Sequence, residues 1–214
     1  MKNLIIIGAG GFGRETAWLV ERINAVSPQW NLLGFADDNA NALPESVDGY
    51  KILGGCDAIK NYPDAFAVCC IANTRIRKMI IDKVSALGNK FATLIDPAAI
   101  CSGKVAIGEG TVICAGAVLT VDIKIGRHSI IDVNSTVGHD AVLEDFVTLY
   151  PSVNVSGNTL LKEGVQAGTG SQILQGLTVG EGTFIGAGAV VIKDLPGGCT
   201  VVGVPARAVK KYEG

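Results

Sequence analysis

The chain has 214 residues, 48% of them hydrophobic, enough for one or two domains with a real core. Its 18 Lys and Arg against 20 Asp and Glu leave a formal charge of −2, so there is no electrostatic footprint for nucleic acid. Six cysteines without a CxxC pairing read as small core hydrophobes of a reducing compartment, and nothing resembles a signal peptide or an apolar run of about 18 residues; the expectation is a cytoplasmic protein without a membrane partner.

The first part of the chain alternates strand and helix patterns. Leu4-Ile5-Ile6-Ile7 is a buried-strand run, and Gly8-Ala9-Gly10-Gly11-Phe12-Gly13 follows it and opens a helical pattern from Arg14 to about Asn24. Leu32–Ala36 predicts a second strand ending in Asp37-Asp38, Phe66–Ala72 a third, and Ile76–Leu87 a second helix. Asn39–Ser46 and Pro63-Asp64 read as loops. The order implies a small parallel sheet, a Rossmann-like α/β domain over residues 1–92.

From Ile95 the rule changes. Every sixth residue through Val191 is apolar, including Cys101, Ile107, Ile113, Leu119, Val137, Ala167 and Val179, without a slip of phase. Position four of the hexad holds Gly at 110, 116, 164, 170, 176, 182 and 188, and Asn or Asp at 122, 134, 140, 158 and 194, the residues that tolerate φ > 0. Pro97 and Pro151 stand at position three, as a type II turn prefers. Each hexad therefore predicts a short strand and a corner, and residues 93–214 predict a parallel β-helix with roughly five to six triangular coils, about 27 Å tall at ~4.8 Å per coil.

Two motifs carry chemistry. Gly8-x-Gly10-x-x-Gly13, in a strand–turn–helix setting, fits a phosphate cradled by backbone N–H groups, and Asp37 or Asp38 could hold a ribose hydroxyl. About 90 residues is nearer a mononucleotide-binding half than a full dinucleotide domain, and a turn that needs glycine only for packing is the competing reading. In the repeat, His139 falls at position three and projects outward at a corner, with Val121 and Gly157 as its neighbours one coil away. Gly157 leaves space on one side, and Asp140 follows. The pair reads either as an exposed turn or as a general base whose tautomer Asp140 fixes. Asp122, Asp140 and Asn158 stack at one position. His128, at position four, reads as structural. Two histidines cannot make a three-histidine zinc site and no Cys/His spacing resembles one, so no metal is expected. No Ser or Cys sits beside a second His, which leaves a covalent nucleophile unsupported.

Over nearly its whole length the chain resembles the sugar acyltransferases of the sialic-acid O-acetyltransferase (NeuD)/PglD type, in the hexapeptide-repeat superfamily. The likeness rests on Ile5–Glu15, Gly34–Asp38, Ile71–Arg77, Val137-Gly138-His139-Asp140, Val155–Asn158, Ile185–Val191 and Val202–Arg207. It implies a left-handed β-helix after the Rossmann-like domain, a homotrimer, and acetyl transfer from acetyl-CoA to an amino or hydroxyl group of a UDP- or dTDP-linked 4-amino-deoxysugar. His139 would be the base and Asp140 its partner. Gly10, Gly11, Phe12, Asp37, Asp38, Ala72, Asn73 and Asp132 would meet the acceptor. Thr148, Gly168, Thr169, Ala187 and Arg207 would meet acetyl-CoA, with Lys210 and Lys211 near its phosphates. Phe12 and Asp132 stand where several relatives carry His and Asn, and Thr148 where some carry His. A sialic-acid-type O-acetyltransferase, a non-catalytic nucleotide-binding scaffold and, less compatible with the short first domain, an oxidoreductase are the alternatives.

Overall fold

The structure is a computed structural model that describes residues 1–211. The chain divides into two compact units, Met1–Pro97 and Ala98–Gly214.

In the first unit, β1 (Lys2–Ile7) is the middle strand of a parallel sheet, between β2 (Trp30–Ala36) and a later strand at Phe66–Cys69. Helix α1 (Gly11–Val26) buries Gly13, Ala17, Val20 and Ile23. It begins three residues before the expected Arg14, because Gly10 has extended backbone and serves as its N-cap. Two short strands not foreseen, β3 (Ser46–Val47) and β4 (Tyr50–Lys51), form a hairpin around Asp48 (φ 49°) and Gly49 (φ 84°). Asp-Gly between two such residues is the hairpin signal that could have found it. Arg14 binds Asp48 (2.7 and 3.3 Å) and Glu21 accepts from Tyr50 Oη (2.8 Å), so one face of α1 carries the hairpin. The strand β5 (Phe66–Cys69) stops three residues short of the expected Ala72. The carbonyls of Ile71 and Ala72 turn away to accept from Arg77 of α2 (Thr74–Ala86).

The second unit is a left-handed parallel β-helix. Strands pair in parallel with partners 18 residues away, as in Val118↔Thr136↔Asn154↔Gln172↔Val190, and three stacks of such strands make the three faces of the prism. The hexad explains both the core and the corners. Position one from Ile113 through Val191 is buried, joined inside by position five: Ala117, Ser135, Val153, Ser171 and Ala189. Buried hydroxyls at position five donate to corner carbonyls of the next coil, Thr111 to Gly126 (2.9 Å) and Ser135 to Tyr150 (3.0 Å), which removes the cost of placing them in the core. Position four has positive φ in every hexad from Gly110 to Gly188, including His128, read as a structural residue of this turn slot, and the unexpected Phe146 and Ser152.

Two ends depart from the rule. Ile95 is 38% exposed while Leu94 is buried, and Cys101 and Ile107 are only partly covered, because the first coil has none before it. At the other end the pairing offset falls from 18 to 16 residues, as in Ile185↔Val201. Asp194, expected at a φ > 0 corner, sits in that shortened stretch outside the positive-φ set and accepts instead from Thr178 N (2.8 Å). Among the described residues no helix is long and apolar enough to cross a membrane.

Candidate functional site

The prism has three edges, and the candidate catalytic and ligand-binding residues of the repeat fall on two of them. His139 and Asp140 are at positions three and four of the edge that follows the Thr136–Val137 strand. Asp140 takes φ 58°, which brings its carboxylate beside the preceding side chain: His139 Nδ1 lies 2.8 Å from Asp140 Oδ2. A carboxylate only accepts, so in the neutral ring this contact selects the tautomer with the proton on Nδ1 and the lone pair on Nε2. Both side chains are exposed, 64% and 60%. The backbone beneath them is fixed, with Asp140 N donating to Val121 O (3.1 Å) and Asn158 N to His139 O (2.7 Å). An exposed imidazole with a fixed tautomer on a rigid ladder is chemically suited to accept a proton from a bound molecule.

Asp132, Thr148, Gly168, Thr169 and Ala187 belong to a different edge and its strands. Thr169 and Ala187 are exposed and one coil apart, whereas Asp132 (8%), Thr148 (2%) and Gly168 are buried. Asp132 Oδ1 accepts from Val133 N at 2.7 Å. Gly168 packs so tightly that an added Cβ would lie 2.7 Å from Ala187 N. Arg207 is exposed and donates to Ala206 O (3.0 Å). The side chains of Lys210 and Lys211 lie outside the described residues.

In the first unit the carboxyl ends of β1 and β2 open onto a cavity of about 250 Å³ lined by Gly8, Asp37, Asp38, Asn39, Cys56 and Ile76. This is the end of a parallel sheet where ligands bind. The four glycines divide by role. At Gly13 a Cβ would sit 1.9 Å from Gly8 O, and Gly8 takes φ 99°, so these two serve the close strand–helix packing. Gly10 and Gly11 are exposed with open space where a Cβ would be. Asp37 accepts from Ala9 N and Asn39 N (2.9 Å each), and Asp38 Oδ1 accepts from Cys56 N (2.8 Å). Both carboxylates thus shape their own loops, and Asp37 uses both oxygens to do so. Phe12 is half-buried and Ala72 exposed, while Asn73 caps α2 by accepting from Ile76 N (3.0 Å).

Sequence reasoning gave Arg77 no role of its own, while the reading of Cys56 as a small core hydrophobe agrees with its burial. Arg77 is fully buried and donates to Ile71 O (2.9 Å) and Ala72 O (3.2 Å), which fixes the loop that carries Ala72 and Asn73. A cation inside a helical pattern carried no signal of its own. Burial pushes the thiols of Cys56 and Cys70 up to about 12 and that of Cys69 to about 11, with Asp38 adding to the effect at Cys56. Such thiols are neutral and poor nucleophiles. Among the described residues no group of three or more His, Cys, Asp or Glu is placed to hold a metal.

Comparison with known proteins gives this geometry a family. Residues 3–84 match the PglD N-terminal domain. The chain is 31% identical over 213 residues to GDP-perosamine N-acetyltransferase of Escherichia coli O157:H7, covering 96% of both proteins. It superposes on the acetyltransferase domain of PglB from Neisseria gonorrhoeae FA1090 in complex with acetyl coenzyme A, with TM-score 0.88 and 35% identity, over 97% of this chain and 99% of that one. A histidine-to-asparagine mutant of perosamine N-acetyltransferase from Caulobacter crescentus, in complex with CoA and GDP-perosamine, gives TM-score 0.88 and 26% identity over 99% of this chain and 98% of that one. With its glycine-loop unit, its left-handed prism and this full-length relationship, the chain belongs to the PglD-type sugar acyltransferases of the hexapeptide-repeat family.

Proposed function

We propose that the protein transfers an acetyl group from acetyl-CoA to the amino group of a nucleotide-linked amino sugar, with His139 as general base. The observation that carries this is the His139–Asp140 pair, an exposed imidazole whose Nδ1 is tied to a carboxylate at 2.8 Å and whose Nε2 is left to accept a proton. The acceptor amine, bound neutral, attacks the thioester carbonyl. The C–N bond forms, Nε2 takes the amine proton, the C–S bond breaks, and the proton passes to the departing thiolate. Backbone N–H groups of the prism would stabilise the oxyanion. The acceptor would occupy the cavity beside Gly10, Gly11, Asp37 and Asp38.

The protein is taken to act as a homotrimer. His139 stands on one edge of the prism and Thr169 and Ala187 on another, and packing protomers side by side would bring one edge of each together around a long ligand. Six free cysteines fit a reducing, cytoplasmic setting. The relatives' names favour N- over O-acetylation, and add GDP to the UDP and dTDP carriers expected from the sequence.

The test is to incubate the purified protein with acetyl-CoA and a panel of UDP-, dTDP- and GDP-linked amino sugars. Thiol release and acetylated product are followed, with His139→Ala as the control. One panel member turning over well above the control is the expected result; no turnover above it with any member rejects the reading.

A further inference from the structure

We propose that Gly157 is a positioning residue for His139: its missing side chain is the seat in which the imidazole lies. A Cβ built at Gly157 would stand 2.5 Å from His139 Nε2, 2.6 Å from Cε1 and 2.9 Å from Cδ2, all closer than such atoms pack. The backbone does not ask for glycine here, because Gly157 lies outside the positive-φ set that contains Gly164, Gly170 and Gly176 at the corners. The requirement comes from the ring one coil away.

Nor can the coils part to admit a methyl group. Gly138 N donates to Val155 O (2.8 Å) and Asn158 N to His139 O (2.7 Å), so the ladder is closed on both sides of the seat. A Cβ at Gly138 would itself stand 2.6 Å from Gly157 N, which shows how closely the two coils lie. With the backbone fixed, the side chain must give way. A displaced imidazole loses its 2.8 Å contact with Asp140 Oδ2 and takes Nε2 away from the place where a proton is transferred. Asp140 and the space above Gly157 thus set the ring together, one by attraction and the other by room.

The catalytic part of this inference rests on His139 being the base; the seat itself does not. The experiment compares wild type, Gly157→Ala, His139→Ala and the double variant. Gly157→Ala is expected to lower kcat about tenfold to a hundredfold, with CoA affinity by calorimetry unchanged, since small misplacements of a reacting group cost rates of that order. In the His139→Ala background the same change should cost less than twofold. The chain has only two histidines, so proton NMR reads the seat directly: the His139 ring resonances should move and those of His128 stay. An unmoved ring with unchanged kcat overturns the proposal, as does an equal loss of rate in the His139→Ala background. If Gly157→Ala does not fold while the double variant does, the clash with the ring is shown; if neither folds, the seat is refuted. Should His139→Ala retain turnover within threefold of wild type, the general-base reading fails, and the NMR comparison still decides the seat.

Discussion

His139 and His128 lie eleven residues apart in the same repeat, yet their surroundings oppose each other. His139 is exposed at its edge, bonded to Asp140, with Gly157 below it. His128 is 5% exposed, takes φ 55°, and stacks on Phe146 with centroids 5.4 Å apart and planes at 25°. Hexad phase alone does not separate them, because Asp140 shares position four with His128 and is 60% exposed. The stack does. Next to His128 one coil down is Gly110, where a Cβ would stand 2.1 Å from the ring, and one coil up is Phe146, whose own φ of 63° turns its ring toward it. Whether a side chain on a prism edge is exposed or enclosed depends on the residues 18 positions away as well as on its sequence neighbours.

The sharpest way to break this contrast is to remove His139. His139→Ala should lower kcat on the order of 10²–10⁴ while melting temperature and CoA affinity hold, since an exposed edge residue contributes little to the core. Turnover within threefold of wild type would make the two histidines equally irrelevant to chemistry. Next in size is Gly11→Val in the first unit. Gly11 is exposed with open space around its Cα, so a bulky side chain there folds but blocks any ligand approaching the loop. The acceptor's kcat/KM should fall about tenfold or more with CoA affinity unchanged. A tenfold loss of CoA binding with acceptor kinetics spared would exchange the two sites. Asp140→Asn is the milder probe. Asn accepts φ 58° and keeps the corner, while the charge that fixes Nδ1–H is lost, so kcat should fall roughly threefold to tenfold with folding intact. A change larger than that of His139→Ala would assign Asp140 a role beyond orienting the ring.

Much of this was legible in the sequence, for a physical reason. A β-helix repeats one local solution, so apolar phase and turn residues state the fold coil by coil, whereas the His139–Asp140 pair keeps the repeat's phase and was read from its side-chain chemistry and the family resemblance. Legibility failed where structure is not local. The 18-to-16 shift that removes Asp194 from its corner depends on how the last coil closes. Arg77 is buried and holds the carbonyls of Ile71 and Ala72, and Asp37 and Asp38 turn out to brace their own loops as well as face the cavity. Phe146 at φ 63° runs against residue preference, and its ring stacks on His128.

That contact gives the smallest effect on rate and the cleanest test of the contrast. An ordinary residue held in the left-handed region costs roughly 1–2 kcal/mol, less for Asn. His128→Asn therefore keeps the corner conformation and removes the stacked ring. The loss should be about 1–3 kcal/mol of stability, a fall of several degrees in melting temperature, with turnover at 25 °C within threefold of wild type. His128→Ala should be less stable than His128→Asn by a further increment of about 1 kcal/mol, because Ala keeps the left-handed strain without Asn's tolerance of it. If His128→Asn instead lost activity tenfold with its melting temperature unchanged, burial beside Gly110 and Phe146 would not have made this histidine structural. If the two variants melted together, the positive φ at the corner would carry no measurable cost, and Phe146 would need no compensation from the ring it packs against.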